Sequence, residues 1–232
     1  MSPASKRTAA LAVKILIVDD HPIVRQGLTQ FIDRTPGLKV CGEAGDARAA
    51  LEMIAQTGPD VVIADLSLEG VSGLDLIEEM KARHPKLPIL VLSMHDESLY
   101  AERALRAGAR GYVMKDKPID EVLTAIRRVL RGEIHLSERM SGRLLQKLVG
   151  SAPATTDSLV GVLTNRELQI FELIGQGFGT RNIAAKLHLS VKTIDTHREN
   201  IKRKLNLGDS VELHQHAFLW AHRAAKGDDK AR

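Results

Sequence analysis

Cysteine and long apolar runs are both scarce in this chain of 232 residues. Its single cysteine, Cys41, excludes an internal disulfide and a zinc site built from several cysteines. No apolar run approaches the length of about 18 residues that a membrane-spanning helix needs. The first residues, MSPASKRTAALAV, contain no separate apolar segment with a cleavage site. We therefore expect a cytoplasmic protein that has no membrane partner.

Charge is unevenly distributed along the chain, whose net charge is +4. The range Lys14–Glu133 has 16 basic and 19 acidic residues, a net charge of −3, whereas Val162–Arg232 has 12 and 8, a net charge of +4. Parts of opposite sign indicate two domains with different roles. A basic C-terminal part is typical of a nucleic-acid binder, although four excess charges alone do not establish one.

Short apolar runs alternate with helical patterns in the first part of the chain. Because helices separate the runs, they predict a parallel sheet. Because the runs are apolar at nearly every position, we expect helices on both faces, as in doubly wound α/β folds. The predicted strands are Lys14–Val18, Leu38–Cys41, Val61–Ala64, Ile89–Leu92 and Gly111–Met114.

Polar side chains stand at the ends of four of these strands. Asp19 and Asp20 follow the first strand and Asp65 the third, while Ser93 and Lys115 follow the fourth and fifth. The carboxyl ends of strands in such a sheet converge on one crevice. Carboxylates crowded there repel one another unless a cation intervenes, and Mg²⁺ accepts carboxylate and phosphate oxygens. Each residue alone could be a turn former, a helix cap or a solvated lysine, so the prediction depends on the combination.

The first part resembles the receiver domain of bacterial response regulators over about Val13–Gly132. The matching segments are VDDHPIVRQGL, PDVVIADLSLEGVSGLDLI, ILVLSMHD and GARGYVMKD. The resemblance implies that Asp65 accepts a phosphoryl group from a histidine kinase or a small phosphodonor. It implies Mg²⁺ ligands at Asp19, Asp20, Asp65 and the backbone carbonyl of Ser67. It also implies phosphate-binding and switch roles for Ser93, Lys115 and Tyr112.

A predicted linker, residues 134–161, precedes the second part. SERMSGRLLQKLV has a helical apolar stripe, and GSAPATTDS breaks the pattern as a flexible segment would. Three helices are then predicted, with caps at Thr164, Thr180 and Ser190. Since the last two are joined by only a brief turn, they predict a helix-turn-helix whose second helix enters the major groove.

The predicted recognition helix, VKTIDTHRENIKRKL, has an apolar side and a polar side. Ile194, His197, Ile201 and Leu205 share the packing side. The acidic residues of the polar side either accept a hydrogen bond from cytosine or pair with cations along the helix. The candidate DNA-binding residues are Lys192, Thr193, Asp195, Thr196, Arg198, Glu199, Lys202, Arg203 and Lys204.

This second part resembles the LuxR-type helix-turn-helix, and the whole chain resembles a NarL/FixJ-type two-component response regulator. The resemblance implies an α/β flavodoxin-like (βα)5 receiver domain followed by a small all-α helix-turn-helix domain. The expected divisions are an N-terminal extension at 1–13, the receiver at 14–133, the linker at 134–161 and the DNA-binding domain at 162–232.

The same resemblance implies a non-enzymatic transcription regulator whose DNA binding is controlled by phosphorylation of Asp65. Its expected partners are a cognate histidine kinase, double-stranded DNA, RNA polymerase and a second copy of the chain. Dimerisation is expected to use a fourth helix, SVELHQHAFLWAHRA, with Trp220 and Phe218 as anchors or as packing inside the domain.

Two alternatives remain open at this point. One is a regulator that binds DNA without phosphorylation and uses its receiver only for dimerisation. The other is an aspartate-dependent phosphatase, which would carry a second aspartate two positions after the nucleophile, where this chain has Ser67.

Overall fold

The structure, a computed structural model, describes residues 12–68, 70–149 and 160–226, the last five of them by backbone alone. An α/β domain comes first. Its strands are β1 (Val13–Val18), β2 (Leu38–Ala44), β3 (Val61–Ala64), β4 (Ile89–Ser93) and β5 (Gly111–Met114). Its helices are α1 (Pro22–Arg34), α2 (Ala47–Thr57), α3 (Gly73–Arg83), α4 (Glu97–Ala107) and α5 (Ile119–Leu130).

The five strands form one parallel sheet in the order β2-β1-β3-β4-β5. Successive side chains of a strand point to opposite faces, and here both faces are apolar. Ile15 and Ile17 pack with α1 and α5, whereas Leu16 and Val18 pack with α2, α3 and α4. Burial on both faces explains why β1, β3, β4 and β5 contain continuous apolar runs, whereas the edge strand β2 exposes Lys39 and Glu43.

The second domain is helical. Helix α6 (Glu138–Leu148) precedes it and packs on α4. The domain itself contains α7 (Asn165–Gly175), α8 (Thr180–Lys186), α9 (Val191–Leu205) and α10 (Ser210–Lys226). Helix α7 lies at its centre and packs on α9 and α10. Its last residue, Gly175, approaches α10 so closely that a Cβ would lie 2.4 Å from the carbonyl oxygen of Ala217.

Most predicted elements are confirmed, but β2 runs three residues beyond its predicted end at Cys41, to Ala44, and other differences lie at helix ends. The capping box of Thr164 and Glu167 is present, and Ser190 accepts from the Thr193 N–H. The prediction of Thr180 as a cap is wrong, because Gly179 is the N-cap. Ser72 is the N-cap of α3 but makes no side-chain capping bond. The predicted flexible segment GSAPATTDS, residues 150–158, lies outside the described residues.

The apolar stripes of α6 and α10 are only partly covered. Met140 is buried, whereas Leu148 is exposed, so the stripe of α6 packs at one end. Trp220 is buried inside the helical domain against Phe171, at 5.5 Å between ring centroids, and Phe218 is 50% exposed. None of the helices in the described ranges has the length and apolar character needed to cross a membrane.

Candidate acidic site and nucleic-acid surface

A buried ion-pair cluster lies at the carboxyl end of the sheet. The Lys115 Nζ is 2.6 Å from the Asp19 Oδ2 and 2.7 Å from the Asp65 Oδ2. The sheet register positions these groups, because the Asp65 N–H donates to the Val18 carbonyl at 2.8 Å and the Lys115 N–H to the Ser93 carbonyl at 2.9 Å. Burial alone would lower the pKa of Lys115, but Asp65 and Asp19 outweigh it and raise the pKa.

Asp20 lies at the mouth of this cluster, beside His21. The His21 Nδ1 is 2.5 Å from the Asp20 Oδ1, and the His21 backbone N–H donates to the Asp19 Oδ1 at 2.9 Å. Burial raises the pKa of Asp20, His21 opposes this, and the charges of Asp65 and Asp19 raise the pKa further. The cluster therefore has more negative charge than Lys115 alone compensates.

The cluster offers the ligands that a hard divalent cation requires. Asp19, Asp20, His21 and Asp65 each contribute one ligand atom, and these atoms lie within 4.8 Å of one another. The Oδ1 of Asp65 is buried and has no hydrogen-bond partner, which is costly for a carboxylate oxygen. Two or three carboxylate oxygens fit Mg²⁺, which is held in proteins by one or two carboxylates together with waters and phosphate.

The remaining predicted site residues surround Asp65. Ser93 is fully buried at the end of β4, and Tyr112 is buried on β5, where its hydroxyl donates to the His95 carbonyl at 2.8 Å. Burial raises the pKa of Tyr112 well above its usual value. Ser67 follows on the loop after Asp65, and its Oγ is 3.0 Å from the His95 Nε2.

Gly73 fixes the shape of the loop after Asp65. A Cβ at this position would lie 2.4 Å from both the Asp65 carbonyl oxygen and the Leu66 Cα. These are backbone atoms that cannot move aside, so only glycine permits this approach of α3 to the loop. The Gly73 N–H donates to the Leu66 carbonyl at 3.0 Å, which holds the loop closed.

Helix α9 presents its polar side to solvent. Ile194 and Ile201 are buried, and His197 and Leu205 are partly buried, as the periodicity predicted. Burial lowers the pKa of His197. Of the candidate DNA-binding residues, those exposed are Lys192, Asp195, Thr196, Glu199, Arg203 and Lys204, and those partly buried are Thr193, Arg198 and Lys202.

Several of these candidates have partners within the domain. Glu199 pairs with Lys202 at 2.9 Å, which is the helix-pairing alternative for this acidic residue. Arg198 donates to the Thr180 hydroxyl at 3.2 Å and thereby joins α9 to α8. Lys204 pairs with the buried Glu167 at 2.6 Å, so its ammonium group has a partner inside the domain although the side chain is partly exposed to solvent.

The contacts between the two domains were not predicted from the sequence. Tyr100 and Arg103 of α4 bond to the helical domain, the first through Glu172 and the second through the carbonyls of Val160 and Leu163. His95 also approaches Glu172. Since the paired residues are far apart in the chain and no shared pattern links them, no sequence signal could have paired them.

Comparison with known proteins agrees with this arrangement. Residues 15–127 match the response regulator receiver domain, and residues 161–217 match the bacterial regulatory proteins of the luxR family. The oxygen regulatory protein NreC of Staphylococcus carnosus is 36% identical over 210 residues, which cover 89% of this chain and 97% of that protein.

Solved structures show the same relationship. A LuxR-family two-component response regulator from Aurantimonas is 36% identical, covering 60% of this chain and 99% of its own, with a TM-score of 0.56. RcsB from Salmonella enterica serovar Typhimurium was solved bound to the promoter rprA in the presence of the phosphomimetic BeF3−. It is 26% identical, the match covers 89% of this chain and 98% of RcsB, and the TM-score is 0.60. The chain therefore belongs to the NarL/FixJ-type two-component response regulators, transcription regulators that join a receiver domain to a LuxR-type DNA-binding domain.

Proposed function

We propose that Asp65 is the phosphoacceptor of this response regulator. The observation that carries the proposal is the asymmetry of its carboxylate: the Oδ2 is held by Lys115 at 2.7 Å, while the buried Oδ1 has no partner. An oxygen kept free of hydrogen bonds is available to attack phosphorus. Lys115 offsets the charge of the nucleophile and of the incoming phosphoryl group.

The transfer itself needs little chemistry from the protein beyond positioning and charge. A bond forms between Asp65 and phosphorus as the bond to the donor breaks, and a histidine kinase's phosphoimidazole or acetyl phosphate is the donor. Asp19, Asp20, Asp65 and the Ser67 carbonyl would hold Mg²⁺, which supplies charge neutralisation for the phosphoryl oxygens. Ser93 and Lys115 would bind those oxygens, and Tyr112 would follow the movement of the loop that carries Ser93.

We further propose that α9 reads DNA. Lys192, Asp195, Thr196 and Glu199, toward its N-terminal half, would face the bases, and its basic residues the phosphates. A phosphorylated homodimer would place two such helices on one duplex, which raises affinity through effective concentration.

The further proposed partners of the protein are its cognate histidine kinase and RNA polymerase, and its proposed location is the cytoplasm. Ser67, where a phosphatase would carry its second aspartate, disfavours an enzyme.

Label transfer from acetyl phosphate tests the phosphoacceptor. In buffer containing Mg²⁺, Asp65→Asn should take up no label, whereas Asp33→Asn, which removes an exposed carboxylate paired with Lys39, should match the wild type. Uptake by Asp65→Asn at the wild-type level would show that another residue is the acceptor.

Selection of bound DNA from a random pool, with and without acetyl phosphate, tests whether the protein recognises a DNA sequence and whether phosphorylation controls that binding. Equal binding in both conditions would favour the regulator that needs no phosphorylation.

A further inference from the structure

His95 touches both the acidic site and the DNA-binding domain. It lies in the loop between β4 and α4, two residues after Ser93. On one side its Nε2 is 3.0 Å from the Ser67 Oγ, and on the other its Nδ1 is 3.2 Å from the Glu172 Oε2 of α7. One imidazole thus spans the distance from the loop that follows Asp65 to the second domain.

The partners of His95 favour one tautomer of its ring. The Glu172 Oε2 also accepts from the Tyr100 hydroxyl at 2.7 Å, and a carboxylate can only accept. The Nδ1 of His95 faces the same carboxylate at 3.2 Å, and a proton on Nδ1 is the arrangement that avoids placing two acceptors face to face. Its Nε2 is then an acceptor in the neutral ring, so that the Ser67 hydroxyl donates to it. A directed chain runs from Ser67 through His95 to Glu172.

The switch residues hold the His95 backbone as well. Its carbonyl accepts from the buried Tyr112 hydroxyl at 2.8 Å, and its N–H donates to the Ser93 Oγ at 3.4 Å. Its ring lies over Tyr100, with centroids 4.5 Å apart. A change in the position of Ser93 or Tyr112 must therefore act on the same residue that contacts Glu172.

The other contacts between the domains involve different groups. Arg103 donates to the carbonyls of Val160 and Leu163 at 2.7 and 2.9 Å, and Asn165 donates to Asp75 at 3.0 Å. These bonds hold the segment before α7 and its first residue against the receiver without using a residue of the acidic cluster. Loss of the His95 bond would loosen the interface but would leave other contacts in place.

We propose that His95 couples phosphorylation of Asp65 to release of the DNA-binding domain. The inference rests on the proposed function, because it needs a phosphoryl group at Asp65. Phosphoryl oxygens are strong acceptors that compete for the hydroxyls of Ser93 and Ser67. Once Ser67 no longer donates to it, His95 loses the contact that orients its ring toward Glu172. The partly buried Glu172 carboxylate then regains water by separation of the domains.

The sign of the effect on DNA binding follows from charge. The receiver range has a net charge of −3 and the DNA-binding range one of +4. Lys192 and Thr196 are exposed while the domains are in contact, so the contact does not bury the reading face. It keeps a domain of net negative charge attached to the DNA-binding domain, which weakens the overall attraction for a polyanion. Release should therefore strengthen DNA binding, most clearly at low salt.

Glu172→Ala in the full chain tests the coupling. It should raise the DNA affinity of the unphosphorylated protein by about fivefold or more, within the usual range for coupling between sites. It should also reduce, by the same factor, the gain that acetyl phosphate produces. Hydrogen exchange at Glu97–Ala107 and Asn165–Gly175 should be faster before any phosphorylation. The matched control is Glu102→Ala on α4, whose ion pairs join it to Arg106 and Lys147 rather than to the DNA-binding domain.

Two substitutions of His95 each keep one of its two side-chain contacts and remove the other. His95→Asn puts an amide nitrogen where Nδ1 lies and has no atom that reaches Ser67; its short side chain has no ring to orient, so it should keep the contact with Glu172 independently of Ser67. In this variant, hydrogen exchange at α4 and α7 should be slow, and acetyl phosphate should not change its rate. His95→Gln reaches Ser67 but not Glu172, and it should behave like Glu172→Ala.

The inference is overturned if Glu172→Ala and both His95 variants match the wild type in exchange and in the gain from acetyl phosphate. Label uptake at Asp65 is measured on the same samples. A wild-type protein that takes up no label contradicts the proposed function instead. Exchange without acetyl phosphate then still decides whether Glu172 and His95 hold the domains together.

Discussion

The ammonium group of Lys204 lies 2.6 Å from the Glu167 Oε2, and this ion pair joins the recognition helix to the N-terminus of α7. The same carboxylate accepts from the Thr164 N–H at 2.8 Å and completes the capping box. The buried Glu167 carboxylate therefore both caps a helix and forms an ion pair with Lys204. The orientation of α9 within the domain depends on a residue that does not belong to it.

Glu167→Gln should make the stability of the DNA-binding domain less dependent on pH. Burial alone would raise the pKa of Glu167, but Lys204 and Thr164 outweigh it and lower the pKa below 4.5. A lowered carboxylate pKa stabilises the fold above 4.5, and this contribution disappears as pH falls through the folded value. We expect a loss of about 1–2 kcal/mol at pH 7 that shrinks below pH 4.5. Urea unfolding at pH 7 and at pH 3.5 measures this difference in the free energy of unfolding.

The control for this prediction is Glu78→Gln, which changes an exposed residue of α3. It should alter the free energy of unfolding by less than about 0.5 kcal/mol at either pH. An equal loss for Glu167→Gln at pH 7 and at pH 3.5 would mean that ionisation of Glu167 does not stabilise the domain.

Gly175→Ala should destabilise the DNA-binding domain, because its Cβ would collide with the backbone of Ala217. We expect a cost of about 1–3 kcal/mol, as for other overpacked contacts. Gly142→Ala in α6 is a matched control, since nothing lies within 4 Å of its Cβ position. That change should stabilise the chain by about 0.5–1 kcal/mol through helix propensity. Thermal unfolding that ranks the two variants in the opposite order would contradict the packing of α7 on α10.

Lys115→Met should make the receiver more dependent on Mg²⁺. Removing the cation leaves Asp19 and Asp65 buried without their partner, which costs about 3 kcal/mol or more. A divalent cation can replace the lost charge, so added Mg²⁺ should raise the melting temperature of the variant more than that of the wild type. Lys117→Met, at an exposed position near the same edge, should respond as the wild type does. If Mg²⁺ raises the melting temperature of all three proteins equally, then Mg²⁺ does not bind at this cluster.

The double variant Lys192→Ala and Arg203→Ala should weaken DNA binding and flatten its salt dependence. Each phosphate contact that is lost should reduce the slope of log K against log salt by about one. Arg48→Ala removes an exposed arginine of α2 in the receiver and should leave the slope unchanged. A double variant with wild-type affinity for a selected site would remove α9 from the DNA interface.

The sequence predicted the elements of this protein well where the signal is local. Four of the five strands were recognisable because burial on both faces requires apolar side chains at consecutive positions, as at Ile15 and Leu16. The edge strand β2, which exposes Lys39 and Glu43, was predicted three residues too short. Ser190 was recognisable as a cap because capping needs a short oxygen-bearing side chain next to the first turn. Thr180 gave the same signal but was wrong, since the helix starts one residue earlier and its hydroxyl is an acceptor for Arg198.

The candidate acidic site was predictable because parallel strands must bring their carboxyl ends together. That rule places Asp19, Asp65 and Lys115 at one edge without any knowledge of side-chain conformation. The bonds from Lys115 to both carboxylates are an observation of the structure. The catalytic and DNA-binding roles of the individual residues remain predictions.

The chain's own sequence determined what depends on neighbours along the chain: most of the strands and helices, two of the three predicted caps and the opposite charges of the two parts. Only the tertiary structure decided which distant groups meet, such as Lys204 with Glu167 and His95 with Glu172. The physical reason is that periodicity fixes the face on which a side chain lies, whereas its partner depends on how whole helices and domains pack.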